Sequence, residues 1–257
     1  MDIDYNILYE KFFKLTESYN SKLDHEFFIK KFYVGYAKDS AYIFYNKNMF
    51  SKSILHHVDA KKCLIKKILK KIPANTDPNE YTIYYFDSNN KLLYSSLGID
   101  TLRKIVTVYF DECVQIEYLV TKNSFGEEIF DILSAEINEF DDNKKIIKCE
   151  VFKNEKKSPY GTSISIEYYF YDNERLSKVE NYMNYNPNFI LDSIVKMYCP
   201  NRIINPEKYT YLFKNNNDDI LVKKIHHYSE TEERIENLSL KRKEIEKLKS
   251  NGFNCFE

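Results

Sequence analysis

The chain has 257 residues, 43% hydrophobic and 30% charged, which excludes a disordered polypeptide and supplies apolar surface for one large domain or two small ones. Basic side chains number 38 and acidic ones 39, for a formal net charge of −1. That balance argues against a non-specific nucleic-acid binder and does not describe an acidic nucleic-acid mimic, so electrostatic recognition must come from local patches.

From Asp4 to Asn20, the residues Tyr5, Leu8, Phe12, Leu15 and Tyr19 recur at helical spacing. They predict a helix with one aromatic-rich buried stripe and Asp4 as its N-cap. Phe27 to Tyr36 and Ala41 to Tyr45 flank Lys38-Asp39-Ser40 and predict a hairpin. Ser51 or Ser53 then opens a second helix reaching Ile72, with Ile54, Val58, Ile65, Leu69 and Ile72 on its apolar face. Lys61, Lys62, Lys66, Lys67, Lys70 and Lys71 occupy the rest of it. Pro73 and the stretch from Ala74 to Glu80 end this helix and form the clearest linker.

After Tyr81 the texture turns strand-like. The runs Tyr81 to Phe86, Ile105 to Phe110, Val114 to Val120, Ile146 to Phe152, Ile164 to Tyr171, Leu176 to Tyr182, Tyr209 to Phe213 and Ile220 to Tyr228 all predict strands. Between Ser124 and Phe140 the reading is divided: Ile129, Leu133 and Ile137 have helical spacing, yet a turn follows. Ser229 predicts the N-cap of a last helix, with Ile235, Leu238, Ile245 and Leu248 facing inward and Asn251-Gly252 as its stop.

Aromatic residues, a polar turn and an aliphatic residue recur as a unit. It reads Phe86-Asp87-Ser88-Asn89-Asn90-Lys91-Leu92, then Phe140-Asp141-Asp142-Asn143-Lys144-Lys145-Ile146, then Phe213 to Ile220. Tyr171-Asp172-Asn173-Glu174-Arg175-Leu176 is a shorter copy. With 5 glycines in the chain, Asn90 and Asn217 are expected to supply positive-φ turn positions. The unit resembles the YD (Rhs-type) repeat, roughly Tyr-Asp, two variable residues, Gly, Arg, Leu, with Asn90 or Lys144 at the Gly position. That resemblance implies consecutive antiparallel hairpins sharing one sheet. The loosely repeated texture is also similar to bacterial immunity proteins that accompany polymorphic toxins.

Motifs for chemistry are sparse. Cys63, Cys113, Cys149, Cys199 and Cys255 form no CxxC pair, so neither a zinc knuckle nor a disulfide framework is expected. His56-His57-Val58-Asp59 and His226-His227 offer too few converging ligands for a metal site. No nucleophile elbow or Gly-rich phosphate loop is present, and Asp141-Asp142 and Asp218-Asp219 sit at turn tips. The N-terminal residues lack a basic-then-apolar leader and no apolar run reaches membrane-span length, so a reducing cytosol is the expected location.

The expected fold is α+β: a large twisted antiparallel sheet of aromatic-rich hairpins flanked by N-terminal, Lys-rich and C-terminal helices. The expected segments are 1–73, 81–228 and 229–257, or one domain containing all three. The expected function is non-catalytic protein binding without cofactor or metal, most concretely immunity against a cognate toxin. Tyr84, Tyr169, Tyr211, Asp141, Asp142, Asp218 and Asp219 are its candidate contacts. The alternative is a nucleic-acid-binding accessory protein using the Lys61 to Lys71 face and Tyr stacking.

Overall fold

The computed structural model describes residues 3–20, 23, 28, 33–38, 51–59, 69–77, 81–98, 102–154, 162–186, 207–216, 219–228 and 232–250. Its strands are β1 (Tyr33–Lys38), β2 (Tyr81–Phe86), β3 (Leu92–Gly98), β4 (Arg103–Tyr109), β5 (Val114–Lys122), β6 (Glu128–Phe140), β7 (Ile146–Asn154), β8 (Thr162–Asp172), β9 (Arg175–Asn186), β10 (Glu207–Asn216), β11 (Asp219–His227) and β12 (Glu233–Leu240). They form a 12-stranded sheet in sequence order. Pairing is antiparallel from β1 to β5 and from β7 to β12. The helices are α1 (Tyr5–Asn20), α2 (Ile54–Asp59) and α3 (Arg242–Ser250). This is the predicted α+β architecture of aromatic hairpins.

Turn chemistry explains why the chain reverses where it does. Asp87 Oδ1 accepts the N–H groups of Asn89 and Lys91, each at 2.8 Å, while Asn90 takes φ 61°. Asp141 Oδ1 does the same for Asn143 and Lys145, at 2.9 and 2.8 Å, with Lys144 at φ 61°. Asn123 Oδ1 accepts from Phe125 and Glu127, each at 2.9 Å, with Gly126 at φ 82°. In each turn one short side chain saturates two backbone donors and a left-handed residue closes the loop. The shorter copy is a different device. Asn173 and Glu174 both have positive φ (46° and 70°) between the paired Asp172 and Arg175, the conformation of a two-residue type I′ turn. Asn217 lies outside the described residues.

Two expectations change. The final segment enters the sheet as β12 before it turns helical at Arg242, so the part of the predicted helix from Glu233 to Leu240 is strand; Ser229 lies outside the described residues. Ile235 and Leu238 match a helical stripe, but pairing with β11 satisfies this segment's backbone, and Leu238 and Leu240 follow the two-residue period of a strand. The helix start is marked instead by Lys241, whose N–H donates to Glu244 Oε2 at 2.7 Å, the return half of a capping box. The Lys-rich helix does not reach Ile72, because Leu69 exchanges both backbone hydrogen bonds with Tyr36, at 2.6 and 2.7 Å. β1 pairs with β2, and Ala41 to Tyr45, the second half of the predicted hairpin, lies outside the described residues. The divided stretch is resolved in favour of strand, as β6.

The chain packs as two compact units, residues 1–46 with 65–136, and residues 47–64 with 137–257. In the first, Tyr9 and Phe12 of α1 are buried, as are Tyr81, Tyr84, Val106, Val108, Ile116, Tyr118 and Val120 from the strands. Asp4 caps α1 as expected, Oδ1 accepting the Ile7 N–H at 3.4 Å. Phe28 meets Tyr94 edge-on at 5.2 Å and stacks on Phe130 at 5.6 Å.

In the second unit, Ile54, Leu55 and Val58 of α2 and Leu248 of α3 share a core with Cys149, Tyr169, Val179, Tyr211, Val222 and Leu240. Each such aliphatic side chain contributes about 1.5–3 kcal/mol on burial. Register places Tyr169, Val179 and Tyr211 in one cross-strand row on one sheet face. Both helices of this unit therefore pack on that face.

Candidate functional site

Alternation along β8 to β12 fixes what the opposite face presents. One row runs Phe170, Lys178, Leu212, Lys223, Asn237, and the next runs Tyr168, Glu180, Thr210, Ile225, Ile235. A third runs Ile166, Tyr182, Lys208, His227, Glu233, and it is covered at its β8 end, where Ile166 is 1% exposed. Leu221 lies beside Lys214 on the same face, next to the first row. Neither α2 nor α3 covers these rows. As a result Phe170 is 40% exposed, Leu212 37%, Leu221 42% and Ile235 51%. Single exposed apolar side chains are ordinary, but here four lie on one sheet face within neighbouring rows.

Charges and rings on this face hold one another in place. Lys178 Nζ lies 4.0 Å from the Phe170 ring centroid and 3.0 Å from Glu180 Oε1. The Tyr182 hydroxyl donates to Glu180 Oε2 at 2.9 Å, and Lys208 Nζ lies 5.3 Å from the Tyr182 ring. Burial raises the Glu180 pKa, but the hydrogen bonds from Lys178 and Tyr182, with the Lys178 and Lys208 charges, outweigh it and leave the carboxyl below its ordinary value. Tyr168 meets Tyr182 edge-on at 6.0 Å. His227 bridges Thr210 Oγ1, at 2.9 Å, and Glu233 Oε1, at 2.8 Å. The face thus holds apolar ends among polar groups that are already fixed by one another.

The predicted site residues fall in several places. Tyr84, Tyr169 and Tyr211 are 3%, 5% and 2% exposed: they are core residues, and their rings are not presented at a surface. They lie on inward strand positions, where a large ring buys the most burial. Asp141 is committed to its turn, as above, whereas Asp142 beside it is exposed. Asp219 pairs with Lys241 at 2.5 Å. Lys70 and Lys71 are exposed and follow the Leu69 bridge outside any helix. Asp218, Lys61, Lys62, Lys66 and Lys67 lie outside the described residues.

Sequence reasoning missed Phe170, Leu212, Leu221 and Ile235. The signal was available: Tyr211-Leu212-Phe213 and Ile220-Leu221-Val222 place an apolar residue at the position where a one-sided strand alternates to polar.

His226 and His227 point to opposite faces, His226 stacking on Tyr209 at 4.2 Å. Among the described residues, no three His, Cys, Asp or Glu side chains are grouped to hold a metal ion, and no helix is long and apolar enough to cross a membrane. No protein-family model, curated protein or solved structure matches this chain.

Proposed function

We propose that this chain is a non-catalytic protein-binding module that docks its partner on the exposed part of the β8 to β12 face, around Phe170, Leu212, Leu221 and Ile235. In its most concrete form it is an immunity protein of a bacterial cytosol that occludes a cognate toxin. The observation that carries the reading is the cluster of exposed Phe170, Leu212, Leu221 and Ile235 on a face that the unit's helices leave open. A mixed apolar and charged sheet face suits a standard protein interface of about 1,200–2,000 Å². Lys178, Glu180 and Lys208 would set orientation at its polar interior, and the apolar side chains would supply most of the affinity. The YD-type turns serve this reading as short, rigid connections that keep the strands in register.

The test is capture with paired baits: the wild-type chain and a Leu212→Glu/Leu221→Glu variant, from nuclease-treated native lysate. A stoichiometric protein retained by the first and lost by the second supports the reading. Recovery that depends on nucleic acid and falls steeply with salt would transfer the function to the lysine-bearing surfaces, Lys70 and Lys71 among them.

A further inference from the structure

Among the described residues the sheet ends at β12, and this last strand is exposed from Glu233 to Asn237. Tyr228 donates its N–H to the Glu232 carbonyl at 3.0 Å, which sets the hydrogen-bonding parity of the β11–β12 ladder. By alternation, Arg234 and Glu236 turn their backbone groups toward β11, while Glu233, Ile235 and Asn237 turn theirs to the outer edge. Among the described residues, no strand pairs with that outer edge. An edge strand in this state is a template for another strand.

From this edge we infer that the chain forms a two-fold dimer by antiparallel pairing of β12 with β12 of a second copy, centred on Ile235. The edge is self-complementary in that register alone among its neighbours. With the two-fold axis at Ile235, that residue pairs with its own copy and Glu233 pairs with Asn237, all through outward-facing backbone groups. Arg234 then falls opposite Glu236 of the second copy, twice by symmetry. These are non-hydrogen-bonded positions, where opposed side chains approach most closely. Moving the axis to Glu236 sets two carboxylates against each other, and moving it to Arg234 sets two guanidiniums together. A closed two-fold pairing consumes the open edge and limits assembly to two copies. It also brings the two exposed Ile235 side chains together and makes the proposed docking faces of both copies continuous.

Sedimentation equilibrium of the full chain tests this separately from any partner. Wild type is expected to be a concentration-dependent dimer. Arg234→Glu places like charges at both contacts and is expected to weaken dimerisation about tenfold or more, and Arg234→Glu/Glu236→Arg restores it. Ile235→Lys, a change at an exposed site that leaves the fold intact, is expected to be monomeric. A wild-type chain that stays monomeric at its highest soluble concentration overturns the inference. So does a dimer indifferent to both Arg234→Glu and Ile235→Lys.

Discussion

The backbone N–H of Ile54, at the first turn of α2, donates to the Tyr169 hydroxyl at 3.0 Å, and that hydroxyl donates in turn to Glu167 Oε2 at 2.5 Å. Ser53 Oγ donates to the other carboxyl oxygen at 2.6 Å. A buried phenol thus replaces the usual cap of a helix too short to persist alone, and ties it to the sheet. Burial first, and then the Glu167 charge, holds the Tyr169 pKa well above its ordinary value, so this donor keeps its proton. Tyr169→Phe leaves the ring in place but orphans the Ile54 N–H. It is expected to destabilise the fold by about 1–3 kcal/mol in urea unfolding, with partner binding unchanged. A loss of binding at full stability would return Tyr169 to the recognition surface.

Lys144 holds φ 61° at the position that the YD pattern gives to glycine. Lys144→Gly relieves the left-handed strain and is expected to stabilise by up to about 1 kcal/mol. Asp141→Ala removes the acceptor of two backbone N–H groups and is expected to cost about 1 kcal/mol. Thermal unfolding of both variants checks the pair; an equal shift in the same direction would refute the turn account.

Leu212→Glu and Leu221→Glu alter side chains that are 37% and 42% exposed. Each is expected to change unfolding stability by no more than about 0.5 kcal/mol. At an interface the same changes are expected to weaken binding by about 1–3 kcal/mol, read by titration calorimetry against the captured partner.

Between Tyr209 and Tyr228, at 4.2 and 3.9 Å ring separation, sits His226. Burial lowers its pKa; the Glu207 charge opposes this, and Lys224, His227 and Arg234 add to it. Because the folded ring resists protonation, the unfolded chain binds more protons just below about pH 6.5, so stability falls as the pH drops through that value toward the lowered one. His226→Gln is expected to lose less stability than wild type between about pH 7.5 and pH 5.5, within the ordinary histidine titration range. Parallel pH slopes for the two proteins would contradict this.

Local turn chemistry was legible in the sequence. Asp87, Asp141, Asn90 and the shortened Asp172 to Arg175 loop each encode a reversal within a few residues, and the hairpin sheet follows from them. The β12 segment was not legible, because Ile235 and Leu238 fit a helical period while Leu238 and Leu240 fit a strand, and only pairing with β11 decides. For the same reason the tyrosines misled. Tyr suits both interface and core, and which face of a strand is buried depends on where the rest of each unit packs, as α2 and α3 do over Tyr169 and Tyr211, a tertiary outcome that alternation alone does not specify.

The most direct measurement is paired capture with the wild-type chain and the Leu212→Glu/Leu221→Glu variant, both shown to be folded by circular dichroism. The account predicts one protein partner, bound stoichiometrically by the wild type through about 0.3 M salt, where long-range electrostatics are screened, and lost by the variant. A partner retained equally by both would contradict the claim that the open face of β8 to β12 is the binding surface.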